Sequence, residues 1–253
     1  KVQSTKLKVC DASLRQHDKG INIKAMTTEA KIEQATIDWL TDLGYSHIHG
    51  TTFTFPENEV VDKATLLAFI QQQHPHLPAE LYPLIVAEFV NNKGADLLYR
   101  NRDFHLKLTK GLDYEYQDAN GNEKAVHVYP IDFQNPENNT FWVVNQLSIK
   151  GKNKRRPDVI VYVNGFPLIV FELKNWFDEN TNLQEAFNQI QHYTKDIPLL
   201  FEYNVATIVS DGNEAQHGMF NASNEWYAAW KSINGTTIVE DDFQMHTLLF
   251  GLF

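Results

Sequence analysis

Apolar residues recur at helical spacing through 28–43, where Ile32, Ala35, Trp39, Leu40 and Leu43 share one side and Gly44 is placed to stop the helix. Glu29 and Glu33 lie four apart on that helix and so share a side. Two further helices are predicted over 62–74 and 79–92, with Asp62 able to cap the first and Pro75 and Pro78 punctuating the gap. Residues 1–25 show weak periodicity and mixed charge. They are set apart as an N-terminal extension of uncertain role, leaving 26–253 as the main domain.

From 112 onward the pattern turns to strands. Tyr114-Glu115-Tyr116 and the run from Ala125 to Tyr129 flank a turn at 118–122, and Thr140 to Ile149 contains the β-rich Phe141-Trp142-Val143-Val144. Val159 to Val163 and Leu168 to Phe171 are joined by Asn164-Gly165, a strong hairpin signal. Both runs are almost continuously apolar, so their sheet is expected to be covered on both faces. A helix at 183–194, with Leu183, Ala186, Phe187 and Ile190 on one side, and a strand at 204–210 follow. Helices before and after a strand block predict an α/β domain with a mixed central sheet flanked by helices.

Composition narrows the reading. Of the 253 residues 43% are hydrophobic and 21% charged, ordinary globular values. No apolar run approaches the ~18 residues needed to span a bilayer, and the single cysteine, Cys10, excludes an intrachain disulfide and fits a reducing cytoplasm. The net charge of −10 argues against a chain whose whole surface grips nucleic acid. The 10 histidines show no metal-ligand spacing; His47, His49, His74 and His76 read as surface or loop residues. Gly151-Lys152 is followed by Asn153, so no phosphate-binding ATPase loop is expected.

The candidate chemistry lies at the open end of the hairpin. With the loop centred on Gly165, Val163 would face Pro167, and counting outward sets Asp158 opposite Glu172. Glu172 and Lys174 are two apart on a strand and point to one face. Two carboxylates and an ammonium would then converge, as metal-assisted phosphodiester hydrolysis requires: hard oxygens for Mg2+ and a compact cation for the attacking water or the developing charge. Read alone, the same pattern also describes a surface ion pair at a strand end beside a turn aspartate.

The context goes further. Arg156-Pro157-Asp158 and Glu172-Leu173-Lys174 resemble the PD-(D/E)XK nucleases. Together with Asp132-Phe133, Pro136-Glu137-Asn138-Asn139, Asn145-Gln146, Asn164-Gly165-Phe166-Pro167 and Phe171-Glu172-Leu173-Lys174-Asn175, the chain resembles the N-terminal nuclease region of the R subunit of type I restriction enzymes. The resemblance runs from about 28 to about 250 and is densest over 130–193. It implies a restriction-endonuclease-like fold, Asp158 and Glu172 as Mg2+ ligands, and Lys174 as the catalytic lysine. Gln189 and Tyr193 match the family's QxxxY element, and a first-helix acid would complete the metal shell, Glu33 before Glu29. Lys150, Lys152, Lys154, Arg155 and Arg156 crowd the entrance to the hairpin, as a solvated loop or as phosphate contacts.

The resemblance also implies double-stranded DNA as substrate and methyltransferase and specificity subunits as partners. ATP-driven translocation would belong to motor domains outside this chain, which reads as a nuclease domain cut before the motor. Two rivals stay open: a non-catalytic coupling module contacting a motor or methyltransferase, and a stand-alone repair nuclease of the same superfamily.

Overall fold

The computed structural model describes residues 28–53, 55–56, 59–118, 120–175, 183–239 and 244–253. The extension 1–25 lies outside them. Its centre is a mixed six-stranded sheet in the order β1-β4-β7-β8-β9-β10. These are β1 (Ser46–His49), β4 (Phe141–Asn145), β7 (Val159–Val163), β8 (Phe166–Leu173), β9 (Ala206–Ser210) and β10 (Ala215–Gly218). β7 lies antiparallel between β4 and β8, whereas β1 joins β4 and β9 joins β8 in parallel. A parallel neighbour needs a crossover, and the β8–β9 crossover carries helices α5 (Leu183–Asp196) and α6 (Pro198–Glu202).

Both faces are covered. α1 (Glu29–Asp42) and α7 (Gln244–Leu252) pack on one, where Ile32, Leu40, Val143, Val161, Phe171 and Leu248 form a core. The larger core on the opposite face joins Ile160, Tyr162 and Val170 to α5, α2 (Lys63–Gln73), α3 (Leu81–Val90) and α4 (Leu97–Lys110). All five residues of β7 are buried, as its continuous apolar run requires. The predicted hairpin at 112–129 also forms, but as a separate two-stranded ribbon, β2 (Leu112–Gln117) with β3 (Glu123–Val128). β5 (Ile149–Lys150) and β6 (Lys154–Arg155) make a second small ribbon, so the strand expected over 140–149 ends at Asn145 and the chain turns before resuming.

α4 was not anticipated, because its inward positions are partly polar. Asn101 donates to the carbonyls of Phe201 and Asn204 at 2.9 and 2.8 Å. Lys107 donates to those of Glu88 and Asn91 at 3.0 and 2.7 Å. Buried polar side chains satisfied this way pack well yet break the apolar period. β1 is short and mostly exposed, and was hidden for the opposite reason.

The hairpin register departs from the simple count and then returns to it. Asn164 and Gly165 both take positive φ, 47° and 87°, giving a two-residue turn that sets Val163 opposite Phe166 rather than Pro167. A bulge follows, with Tyr162 opposite Pro167 and Val161 opposite Ile169, so Leu168 is the extra residue. Proline, which has no N–H to give to a ladder, suits that irregularity. Gly165 is constrained twice, since a Cβ there would also come within 2.2 Å of the Asp62 carbonyl oxygen. Gly165→Ala should therefore cost roughly 2–4 kcal/mol, the left-handed backbone penalty plus displacement of α2's cap. A urea melt showing less than about 1 kcal/mol of loss would mean the turn tolerates a side chain.

Candidate active site

One step beyond the Val159–Phe171 pair, Asp158 stands opposite Glu172. Alternation along the strands turns both toward the α5 side of the sheet, the side taken by Ile160 and Val170. Asp158 Oδ2 accepts from the Leu173 backbone N–H at 2.7 Å. Glu172, only 2% exposed, is held at both oxygens: Lys174 Nζ donates to Oε1 at 2.7 Å and the Tyr193 hydroxyl donates to Oε2 at 2.9 Å. Tyr193 comes from α5, where Gln189 sits one turn earlier and hydrogen-bonds to it. Asp158, Glu172, Lys174, Gln189 and Tyr193 thus form one connected group.

The first-helix acids approach from the other layer. Glu29 Oε1 lies 3.8 Å from Lys174 Nζ. Glu33 is close enough to Asp158 to repel its charge, and is gripped by two amides: Asn145 Nδ2 donates to Oε1 at 2.7 Å, and Gln146 Nε2 donates to Oε1 at 3.0 Å and Oε2 at 2.8 Å. Asn145 and Gln146 were part of the resemblance but were given no role from the residues alone. Their neighbourhood to Glu33 spans more than a hundred positions of chain and left no local signal.

The electrostatics follow from this crowding. Burial and then the Glu172 charge push the Asp158 carboxyl up to about 8. Glu172 is raised as well, chiefly by burial, although Lys174 and Tyr193 work the other way. For Lys174 burial opposes the charged form, but the Glu172 carboxylate overcomes it and the ammonium is held above its ordinary value. Burial, then Glu172, raises the Tyr193 hydroxyl, so it remains a proton donor.

Whether a divalent cation suits these residues can be judged from charge and donors. Among the described residues no three His, Cys, Asp or Glu side chains are already gathered as a ready metal cage. Yet Asp158 and Glu172 are hard oxygen donors whose ionised forms are disfavoured by burial and by each other, with Glu33 and Glu29 adding repulsion. A cation between them relieves that cost, so the donor set fits Mg2+ or Mn2+.

The basic run divides. Arg155 Nε donates to Asp196 Oδ2 at 2.6 Å, and Asn153 Nδ2 donates to Asp196 Oδ1 at 2.7 Å. The Asn153 amide and the Arg155 guanidinium hold the Asp196 carboxyl below its usual range. Lys152 N–H donates to the Asp196 carbonyl at 2.7 Å, so the β5–β6 ribbon is clasped to the end of α5. Arg155 is therefore engaged with the protein, while Lys150, Lys152, Lys154 and Arg156 are exposed beside it.

Comparison with known proteins identifies the family. The sequence profile of the type I restriction enzyme R protein N terminus matches residues 26–226. The chain belongs to that family. It is 35% identical over 240 residues to the type I restriction enzyme HindI endonuclease subunit of Haemophilus influenzae, covering 90% of this chain and 23% of the relative. A Methanocaldococcus jannaschii protein, provisionally named the type I restriction enzyme MjaIXP endonuclease subunit, is 32% identical over 219 residues, 83% of this chain and 21% of its own. The chain thus spans less than a quarter of the length of these two relatives. The α/β architecture of the R-protein N terminus, with its mixed central sheet, is the one expected of a restriction-endonuclease-like fold.

The raised Asp158 has a consequence for stability. Its folded value, about 8, lies above the unfolded value of 3.8. The folded state therefore holds this proton more tightly, an advantage present below about pH 4 and lost as pH rises through about 8. In EDTA, Asp158→Asn, which can still accept from the Leu173 N–H, should be more stable than wild type at pH 9 by roughly 1–3 kcal/mol. At pH 4 the difference should vanish. Denaturation curves at the two pH values that show no such convergence would contradict the assigned shift.

Proposed function

We propose that this chain is the DNA-cleaving domain of a type I restriction enzyme R subunit, hydrolysing phosphodiester bonds of double-stranded DNA with Mg2+ as cofactor. The observation that carries this reading is the convergence of Asp158, Glu172 and Lys174 at the mouth of one hairpin, with Tyr193 and Gln189 behind them. Asp158 and Glu172 would hold the cation, with Glu33 completing the acidic set and Glu29 as the alternative. The cation, when bound, would supply Lewis acidity toward the phosphate and activate water.

The chain's own groups divide the remaining work. Tyr193 fixes the Glu172 carboxylate by its hydroxyl, and Gln189 fixes Tyr193 in turn. Lys174 stays protonated and presents a point charge beside the reacting phosphate, where it orients water and steadies developing charge. Lys150, Lys152, Lys154 and Arg156 would meet backbone phosphates, and Arg155 would hold their ribbon in place through Asp196.

Four exposed cations on a body of net charge −10 make a weak DNA grip that falls steeply with salt. Delivery of DNA is therefore assigned to the rest of a longer subunit, whose motor would use ATP for translocation, and to methyltransferase and specificity subunits in a cytoplasmic complex. Among the described residues no helix is long and apolar enough to cross a membrane.

The test uses the full-length subunit in its complex. Lys174→Ala should lower the cleavage rate by about 10^2–10^3-fold, comparable to loss of one transition-state donor. Asp158→Ala should abolish cutting, Mn2+ should substitute for Mg2+, and EDTA should stop the reaction. ATP hydrolysis should continue in both variants. Full cleavage by Asp158→Ala would remove the proposed centre. Loss of ATP-driven translocation together with cleavage would instead favour a coupling module.

A further inference from the structure

Two described non-glycine residues have positive φ, Asn164 at 47° and Gln146 at 57°. The hairpin turn accounts for Asn164. Gln146 lies in no hairpin turn. It follows the last residue of β4, in a left-handed conformation that an L side chain adopts at a cost.

What that conformation achieves is visible in its contacts. The Gln146 backbone N–H donates to the Asp158 carbonyl at 3.3 Å. Its side-chain amide donates to both oxygens of Glu33. One residue therefore links the start of β7, where Asp158 stands, to the first-helix acid. The neighbouring buried Asn145 adds a third hydrogen bond to Glu33, and its orientation is fixed because its Oδ1 accepts from His47 Nε2 at 2.9 Å. The backbone here is also tightly backed. A Cβ on Gly50 would come within 2.4 Å of Leu147 Cα and 2.7 Å of the Asn145 carbonyl oxygen, so only glycine lets the chain after β1 lie against this kink.

We infer that Gln146 is a positioning residue for the metal centre: its left-handed backbone aims its amide so that the Glu33 carboxylate is held toward Asp158. This rests on the metal-dependent reading above. Neutral amides suit the role because they stabilise a carboxylate without cancelling its charge, leaving it attractive to a cation. Gln146 reaches the cation only through Glu33 and donates nothing to it.

Binding of Mn2+ to the chain, followed by isothermal titration without DNA, tests this apart from activity. Gln146→Met keeps the length and removes the amide; Gln146→Gly removes the amide and accepts the positive φ without strain. Both should weaken Mn2+ binding by about ten- to a hundredfold, the range for groups that orient a metal ligand. Glu33→Gln should weaken it at least as much. Gln146→Met combined with Glu33→Gln should be no worse than Glu33→Gln alone, because both act through one carboxylate. Asp158→Ala should abolish binding.

Wild-type affinity in Gln146→Met, or losses that simply add in the double variant, would overturn the inference while Mn2+ binding by the parent chain keeps the metal reading intact. Gln146→Gly, which relieves the backbone, guards against misfolding: a folded glycine variant with wild-type affinity would also overturn it. A wild-type chain that binds no Mn2+ would overturn the metal reading itself, and this inference with it.

Discussion

Burying the Glu172 carboxylate sets the terms for the rest of the molecule, because taking an ionised carboxylate out of water costs several kcal/mol even after its surroundings relax. The strand that carries it is central in the sheet, with β7 on one side and β9 on the other, so water cannot repay that cost. Lys174 and Tyr193 do so instead, one from just beyond the end of the same strand and one from α5. That requirement explains why α5 must lie where it does and why Lys174 must stay charged. The low-dielectric surroundings that make the arrangement expensive also make each charge in it act strongly on whatever enters.

The acidic body and the acidic centre are consistent with a domain that does not find its own substrate. Within the basic run at 150–156, Arg155 is spent on Asp196, and Lys150, Lys152 and Lys154 sit on a small ribbon rather than across a face. Under the proposed function, a surface of this kind would contribute local contacts to DNA already brought close. It contributes little to capture from solution, where net charge dominates.

Much of the site was legible because strand periodicity is strict. Val159 to Val163 and Leu168 to Phe171 could only be a buried hairpin, and parity alone placed Glu172 and Lys174 on one face. The turn pairing was misread by one residue: the two-residue turn pairs Val163 with Phe166, and the bulge at Leu168 cancels the error before it reaches Asp158. α4 escaped because Asn101 and Lys107 occupy inward positions by hydrogen bonding rather than by apolarity. The hold of Asn145 and Gln146 on Glu33 escaped because it depends on how α1 docks against the end of β4, a tertiary fact with no sequence period. Glu33 and Glu29 were nominated through the family resemblance, which implies an acid from the first helix.

The bulge at Leu168 bears on how such a chain can drift over generations. Because side chains alternate along a strand, losing or gaining a single position within the paired segments that carry Asp158 and Glu172 would swing one acid to the opposite face of the sheet, into the layer occupied by Phe171 and Leu173. Those paired segments can therefore shorten or lengthen only by even steps, or by one step accompanied by the creation or removal of a bulge, whereas the loop itself can change length freely. An irregularity that looks incidental to the hairpin is thus a parity bit, and descendants that edit the strands must edit it too.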